Sequence, residues 1–242
     1  KTEVALRAAF NAVIAGGQVA LIVPTTLLCR QHFATFRDRF AETGVRIEQL
    51  SRFVAARDAA EIKRRLSIGQ VDIVIGTHAL LAQDIRFKNL TLLVVDEEQH
   101  FGVKHKERLK QIKAEVHVLT LTATPIPRTL QLALAGVRDM SVIATPPVDR
   151  LAVRTFVLPY DPIVVREAIM REHFRGGQIF YVCPRIENLA GVADEIRTLV
   201  PEIRVGMAHG RMPSRALEDI MTAFYEHRID LLEDYARKRL LS

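Results

Sequence analysis

Three consecutive carboxylates, Asp96, Glu97 and Glu98, followed by Gln99, end the apolar run TLLVV at residues 91–95. A run of that composition reads as a strand buried on both faces. In an open parallel sheet, ligands collect beyond the carboxyl ends of the strands, so acidic residues there face a crevice rather than a core. Asp96, first past the strand, carries the hard oxygen donors that hold Mg2+ through water beside bound phosphates. Glu97, one residue on, is placed to orient or deprotonate an attacking water. A solvated acidic turn would use the same residues. The chain opens on Lys1-Thr2 and the helical EVALRAAFNAVIA. The last two residues of a phosphate loop, G-x-x-x-x-G-K-[ST], run into their helix in that way, but a Lys-Thr pair alone carries no weight. The segment LTLTATPIPR puts Thr122 and Thr124 at another strand end, with Pro125 and Pro127 forcing a turn. Their hydroxyls can bond the acidic cluster or a phosphate, and simple turn chemistry also accounts for them.

Such residues need elements to position them. Strand-like runs occur at 19–24, 71–76, 91–95, 116–123, 151–158, 178–183, 203–209 and 229–232. Between them lie amphipathic helices: Leu189, Val192, Ile196 and Leu199 share one face, as do Leu217, Ile220, Met221 and Phe224. This alternation predicts an α/β fold of mostly parallel sheets flanked by helices. The rhythm breaks at IATPPVDRL, where Pro146 and Pro147 favour an extended linker. Two lobes are therefore expected, 1–145 and 151–232, joined by 146–150, with 233–242 a tail that reads as a short basic helix. No internal repeat stands out.

With 242 residues, 49% of them hydrophobic, the chain can build a sizeable core. Its formal charge of +6 fits either a polyanion partner or a solvated basic surface. Cys29 and Cys183 match no metal or redox spacing and read as reduced thiols in a cytoplasmic protein. His100, His105 and His117 are not spaced as a metal site. The basic KHKERLK (104–110) suits DNA or a solvated helix face. No run approaches the length of a membrane span.

Taken in order, the terminal KT, PTTLLCRQH, GTHALL, DEEQHFG, TATPIPRTL and HGRM resemble the motor of superfamily 2 helicases and translocases. Within it, DEEQHFGVKHKERLK, TLTATPIPRTLQLALAGVRDMSVIATPP and VDRLAVRTFV resemble the bacterial transcription-repair coupling factors, with RecG-type branched-DNA helicases the nearest rival. The resemblance spans Lys1 to about Leu232. It implies two RecA-like lobes, both incomplete, and an ATP-dependent double-stranded DNA translocase that displaces stalled RNA polymerase. ATP and Mg2+ are the implied cofactors. Lys1 would contact the β- and γ-phosphates, and Thr2 and Asp96 would ligate Mg2+. Glu97 would act on water, Glu98 and Gln99 would complete the acidic motif, with Gln99 relaying nucleotide state, and Thr122 and Thr124 would couple hydrolysis to movement. DNA-backbone contacts would come from Pro24, Thr25, Thr26 and Arg30, from Gly76, Thr77 and His78, from Arg185, which with Pro184 matches a further motif, and from His209, Gly210 and Arg211. Such contacts grip without reading sequence.

Each has a plainer use. Thr25 and Thr26 suit the cap of a helix beginning near Leu27, His78 suits a packed surface, and HGRM suits a strand-to-helix turn. The sequence also departs from the family pattern. The glycines of the phosphate loop are absent, and after Leu232 the chain reads EDYARKRLLS instead of the family's next motifs. The 242 residues alone are thus expected to turn over ATP poorly, or to act as a silent DNA-binding piece. The modules that bind RNA polymerase and the excision-repair damage-recognition protein would lie elsewhere.

Overall fold

The computed structural model describes residues 1–52, 54–97, 116–123, 139–145 and 153–235. The chain divides into two compact units, Lys1–Val148 and Asp149–Ser242.

In the first unit the elements run α1 (Thr2–Ile14), β1 (Gln18–Ile22), α2 (Thr26–Arg39), β2 (Ile47–Leu50), α3 (Ala56–Ser67), β3 (Ile73–Gly76), β4 (Leu90–Asp96) and β5 (His117–Leu121). The strands form one sheet in the order β2-β3-β1-β4-β5, every pairing parallel. Successive side chains along a strand point to opposite faces, and here both faces are covered. Val19, Leu21, Ile73, Ile75, Leu92 and Val94 pack against α1 and α2 through Ala5, Leu6, Cys29 and Phe36. Ala20, Ile22, Val74, Leu93 and Val95 pack against Ile62 and Leu66 of α3, and against Leu80 and Leu81. Continuous apolar runs such as VALI and LLVV result.

The second unit runs α4 (Pro162–Phe174), β6 (Ile179–Cys183), α5 (Leu189–Leu199), β7 (Val205–Ala208), α6 (Ser214–Tyr225) and β8 (Leu231–Tyr235). Its three strands are parallel in the order β6-β8-β7. Ile169, Ile196, Val200 and Leu231 form one core, and Ala208, Phe224 and Leu232 the other. Among the described residues no helix is long and apolar enough to cross a membrane.

Four expectations need correction. The strand β2 was not anticipated, because IEQL is half polar and only partly buried at the sheet's edge. The run 151–158 forms no strand over its described part, 153–158: Val153, Phe156 and Val157 are exposed, and none of the described strands pairs with it. The expected tail begins as strand, since Glu233, Asp234 and Tyr235 continue β8 by pairing with Tyr181, Val182 and Cys183 of β6. Position between two strands overrides a local helical preference there. The linker 146–150 and residues 236–242 lie outside the described residues.

The fourth correction is an internal repeat, plain in three dimensions and carried by only a few residue identities. The order β2-β3-β1 in the first sheet corresponds to β7-β8-β6 in the second. Helices α1 and α4 both have 13 residues, and α3 and α6 both have 12. The same two clamps recur. Arg46 donates from its backbone N–H and Nε to Asp72 Oδ2 (2.8 and 2.9 Å), and from Nη2 to Asp72 Oδ1 (2.7 Å) and Gly69 O (2.9 Å). Arg204 repeats this on Asp230 Oδ2 (2.8 and 2.8 Å), Asp230 Oδ1 (2.7 Å) and His227 O (2.8 Å). Gln18 Nε2 donates to Leu66 O and Val71 O at 3.0 and 2.7 Å, and Gln178 Nε2 to the matching carbonyls, Phe224 O and Ile229 O. The Arg204 guanidinium holds the Asp230 carboxyl below the usual carboxylate range. Partial burial pushes Asp72 the other way, and the Arg46 bonds outweigh it.

Candidate functional site

Because all strands of the first sheet run the same way, every loop after a strand opens on one edge. From one side to the other these are Ser51-Arg52 after β2, Gly76-Thr77-His78 at the end of β3, Val23–Thr26 after β1, Asp96-Glu97 at the end of β4, and Thr122-Ala123 after β5. The carboxylates and Thr122 are thus neighbours on β4 and β5, while the two hydroxyl-rich loops lie beside them on β1 and β3.

Glu97 is the most constrained of these residues. Its φ of +50° lies in the left-handed region, rare for a residue with a side chain. Its backbone N–H donates to Leu121 O at 2.9 Å, which ties the turn to β5. Its Oε1 accepts from Ala123 N–H at 3.0 Å and from Lys1 Nζ at 3.3 Å, and its Oε2 from Thr122 Oγ1 at 3.2 Å. Non-glycine residues in this region cost about 1–3 kcal/mol and concentrate at functional sites.

Asp96 is held by a residue of α2. His32 Nε2 lies 3.2 Å from Asp96 Oδ2, and both side chains are largely buried. Sequence reasoning passed over His32 although it lies within PTTLLCRQH. The available signal was its spacing: Cys29, His32 and Phe36 form the buried stripe of α2, and a polar residue in such a stripe needs a partner. Cys29 itself packs at the sheet, where burial pushes its thiol up to about 12.

Lys1 caps α1, and Thr2 begins it. The structure therefore brings together Lys1, Glu97 and Thr122, with Asp96 next in chain. The DNA-contact candidates of this unit lie on the same edge with structural uses of their own. Thr25 Oγ1 accepts from Leu28 N–H at 3.2 Å as the N-cap of α2, and Thr77 Oγ1 accepts from Ala79 N–H at 3.5 Å. Pro24 and Thr26 are partly buried, and Arg30 and His78 are exposed. Gly76 is required by packing, since a Cβ there would strike Leu50 O and the Leu80 side chain.

In the second unit Pro184 and Arg185 follow β6, and His209, Gly210 and Arg211 follow β7, again on the carboxyl edge. Arg185, Gly210 and Arg211 are exposed, whereas His209 Nδ1 is buried with no hydrogen-bond partner among the described residues. Glu98, Gln99, Thr124 and the segment 104–110 lie outside the described residues.

Parallel α/β units with acidic and hydroxyl groups at their carboxyl edges match known proteins. Residues 1–133 match the family described as DEAD/DEAH box helicase. The chain belongs to the DEAD/DEAH box helicase family. This helicase-family chain is 55% identical over 232 residues to the transcription-repair-coupling factor of Escherichia coli (strain K12), covering 96% of the chain and 20% of that protein. It is 54% identical over 232 residues to the protein of the same name from Bacillus subtilis (strain 168), with the same coverage. The chain thus spans about a fifth of the length of the curated relatives it matches. The solved structure of RecG bound to a three-way DNA junction superimposes with a TM-score of 0.75 at 34% identity, over 96% of this chain and 31% of that one. Dbp5 of S. cerevisiae, bound to RNA and ADP BeF3, gives 0.62 at 13% identity over 97% and 62%, and shows the fold alone. The units are RecA-like.

Proposed function

We propose that this chain is the motor segment of an ATP-dependent translocase on double-stranded DNA, acting in transcription-coupled repair to displace stalled RNA polymerase. The observation that carries the reading is Glu97. It is a carboxylate held in a left-handed backbone conformation at the end of a central strand, with Lys1, Thr122 and the Ala123 N–H around it. Membership of a helicase family and the identity to coupling factors support it.

In this reading the chain's own residues act as follows. Glu97 orients the attacking water and takes its proton, and Thr122 and the Ala123 N–H keep the carboxylate aimed. Lys1 leaves its pairing with Glu97 to meet the β- and γ-phosphates of ATP. The donor set of an Asp96 carboxylate oxygen and the Thr2 hydroxyl is the hard-oxygen kind that suits Mg2+, and those two residues would hold it. The ion would neutralise phosphate charge. His32 fixes one oxygen of Asp96, leaving the other for that work. Thr122, with Thr124, passes the change at Glu97 to the rest of the motor, and Glu98 and Gln99 do so from the acidic motif. The loops at Pro24–Thr26 with Arg30, at Gly76–His78, at Arg185 and at His209–Arg211 grip backbone phosphates. RNA polymerase and the excision-repair damage-recognition protein would be bound by other parts of a protein of the relatives' length.

One observation favours a second reading. The RecG structure, bound to a three-way junction, matches at 34% identity, so a branched-DNA helicase is the alternative. The 55% identity to a coupling factor favours the first. The test exchanges the 232 matched residues into the E. coli relative and measures removal of stalled RNA polymerase from linear duplex, beside unwinding of three-way junctions. Polymerase removal with little junction unwinding is expected, and the reverse pattern would establish the RecG-type reading.

A further inference from the structure

Helix α2 carries one buried residue that its fold does not call for. The repeat lines up Gln18 with Gln178, Pro24 with Pro184, Cys29 with Leu189, Phe36 with Ile196 and Phe40 with Val200, all at one constant spacing along the chain. Cys29, Phe36 and Phe40 are buried, and so are Leu189, Ile196 and Val200. The same spacing sets Val192 against His32. Val192 packs against the core of the second unit as plain hydrocarbon, whereas His32 is a polar side chain buried in the first. Burying a polar group costs stability unless it is hydrogen-bonded. The exchange therefore points to a task that exists in the first unit alone.

That task stands opposite. Side chains alternate along a strand, so Asp96 follows Leu92 and Val94 onto the face of β4 that packs with α1 and α2. Helix α2 starts at the carboxyl edge of the sheet, and helical side chains tilt back toward the first turn. His32 thus reaches the end of β4, where its Nε2 lies 3.2 Å from Asp96 Oδ2. A carboxylate only accepts, so Nε2 carries the hydrogen. The imidazole meets the Phe36 ring edge-on, with 6.4 Å between centroids and 71° between planes. One turn earlier the Cys29 thiol ties the helix to Ile75 O at 3.4 Å. Among the described residues the second sheet has no strand matching β4, and there the position is apolar.

We propose that His32 is a positioning residue for metal binding by Asp96. Holding Oδ2 fixes the rotation of the carboxylate, so that Oδ1 meets the ion without first being ordered. The inference rests on the reading that Asp96 and Thr2 hold Mg2+ beside ATP. Hydrogen-bond partners standing behind a metal ligand typically set about 10–100-fold in metal affinity or activity.

The test uses the 232 matched residues carried by the E. coli relative, with a non-hydrolysable ATP analogue bound. Mn2+ is the probe, and its electron spin resonance gives the concentration for half-saturation. Thermal unfolding without metal or nucleotide reports the fold separately. His32→Val installs the residue that the second unit uses, and should raise the Mn2+ half-saturation about 10-fold or more. His32→Asn, polar but too short to reach Oδ2, should do the same, and it serves if His32→Val does not fold. His32→Gln, whose amide N–H can reach Oδ2, should stay near the unmutated value. Asp96→Asn should weaken Mn2+ at least as much as His32→Val. If the folded His32 variants all keep the unmutated half-saturation while Asp96→Asn raises it, His32 only fills space and this inference alone falls. Equal losses in His32→Gln and His32→Asn would also overturn it, since the hydrogen bond would then not be the cause. If Asp96→Asn leaves Mn2+ binding unchanged, the metal reading of Asp96 falls with it.

Discussion

The two halves of the molecule place different side chains at one buried point. At the middle of its third paired strand the first unit has Ile75, and the second has Glu233, both fully buried. The Cys29 thiol donates to Ile75 O at 3.4 Å, and the Cys183 thiol to Glu233 Oε1 at 3.0 Å. Glu233 Oε2 has no hydrogen-bond partner among the described residues. The same fold therefore tolerates a polar group in one copy that the other fills with hydrocarbon, and the second copy should be the weaker. Burial pushes the Glu233 carboxyl above its usual range, and burial with the nearby Glu233 pushes the Cys183 thiol up to about 12. The glutamines that tie each half differ as well. Gln18 also accepts at Oε1 from Lys88 N–H (2.8 Å) and Asn89 N–H (2.9 Å), so it satisfies four backbone groups in all.

The largest effect expected from this comparison is at the glutamines. Gln18→Leu strands four backbone groups and should cost about 3 kcal/mol or more in urea unfolding, since each unsatisfied buried group costs about 1–3 kcal/mol. Gln178→Leu should cost less, with the loss of amide protection concentrated in β6 and β8. Equal costs would break the claim that the first half is tied more tightly.

Next in size is Glu233→Ile, which restores the residue type of the first half. It should stabilise the chain by about 1–3 kcal/mol at neutral pH, the scale for an imperfectly paired buried polar group. The sign with pH follows from the raised Glu233 carboxyl. Below the ordinary 4.5, folded and unfolded chains are both protonated there; above it the unfolded chain ionises first, so stability falls as pH rises towards the folded value. Tyr181, Cys183, Asp194 and Arg197 set the local field. The advantage of Glu233→Ile should therefore shrink as pH is lowered through that range. A gain independent of pH would contradict the ionisation account.

The smallest effect concerns the turns before the two clamped aspartates. Gly69 has φ +78° and His227, in the matching place, φ +56°. A side chain in the left-handed region costs about 1–2 kcal/mol. His227→Gly should recover about 1 kcal/mol or less, because glycine also loses more chain entropy on folding. Thermal unfolding of His227→Gly beside Gly69→His, with opposite signs expected, sharpens the equivalence of the two turns.

Much of this architecture was legible in the chain. Runs such as VALI (19–22) and LLVV (92–95) are apolar on every residue because both sheet faces are covered, and that pattern reported parallel sheets flanked by helices. Strand ends located Asp96, Glu97 and Thr122 on one edge for the same reason. What could not be read rests on contacts between distant residues. β2 is an edge strand whose pairing comes from β3, and β8 continues through Glu233 because β6 and β7 flank it. The repeat was hidden because its clamps need only an arginine, an aspartate and a glutamine at set places. His32 became visible as the partner of Asp96 only when α2 was laid on the sheet.

The central claim is that Glu97 handles water at the end of β4. Its most direct test is Glu97→Gln within the 232 matched residues carried by the E. coli relative, with ATP turnover and nucleotide affinity both measured on duplex DNA. Turnover should fall about 10²–10⁴-fold, the usual loss on removing a general base, while nucleotide affinity is retained. Turnover near the unmutated level would show that Glu97 is held in its left-handed turn for some other purpose.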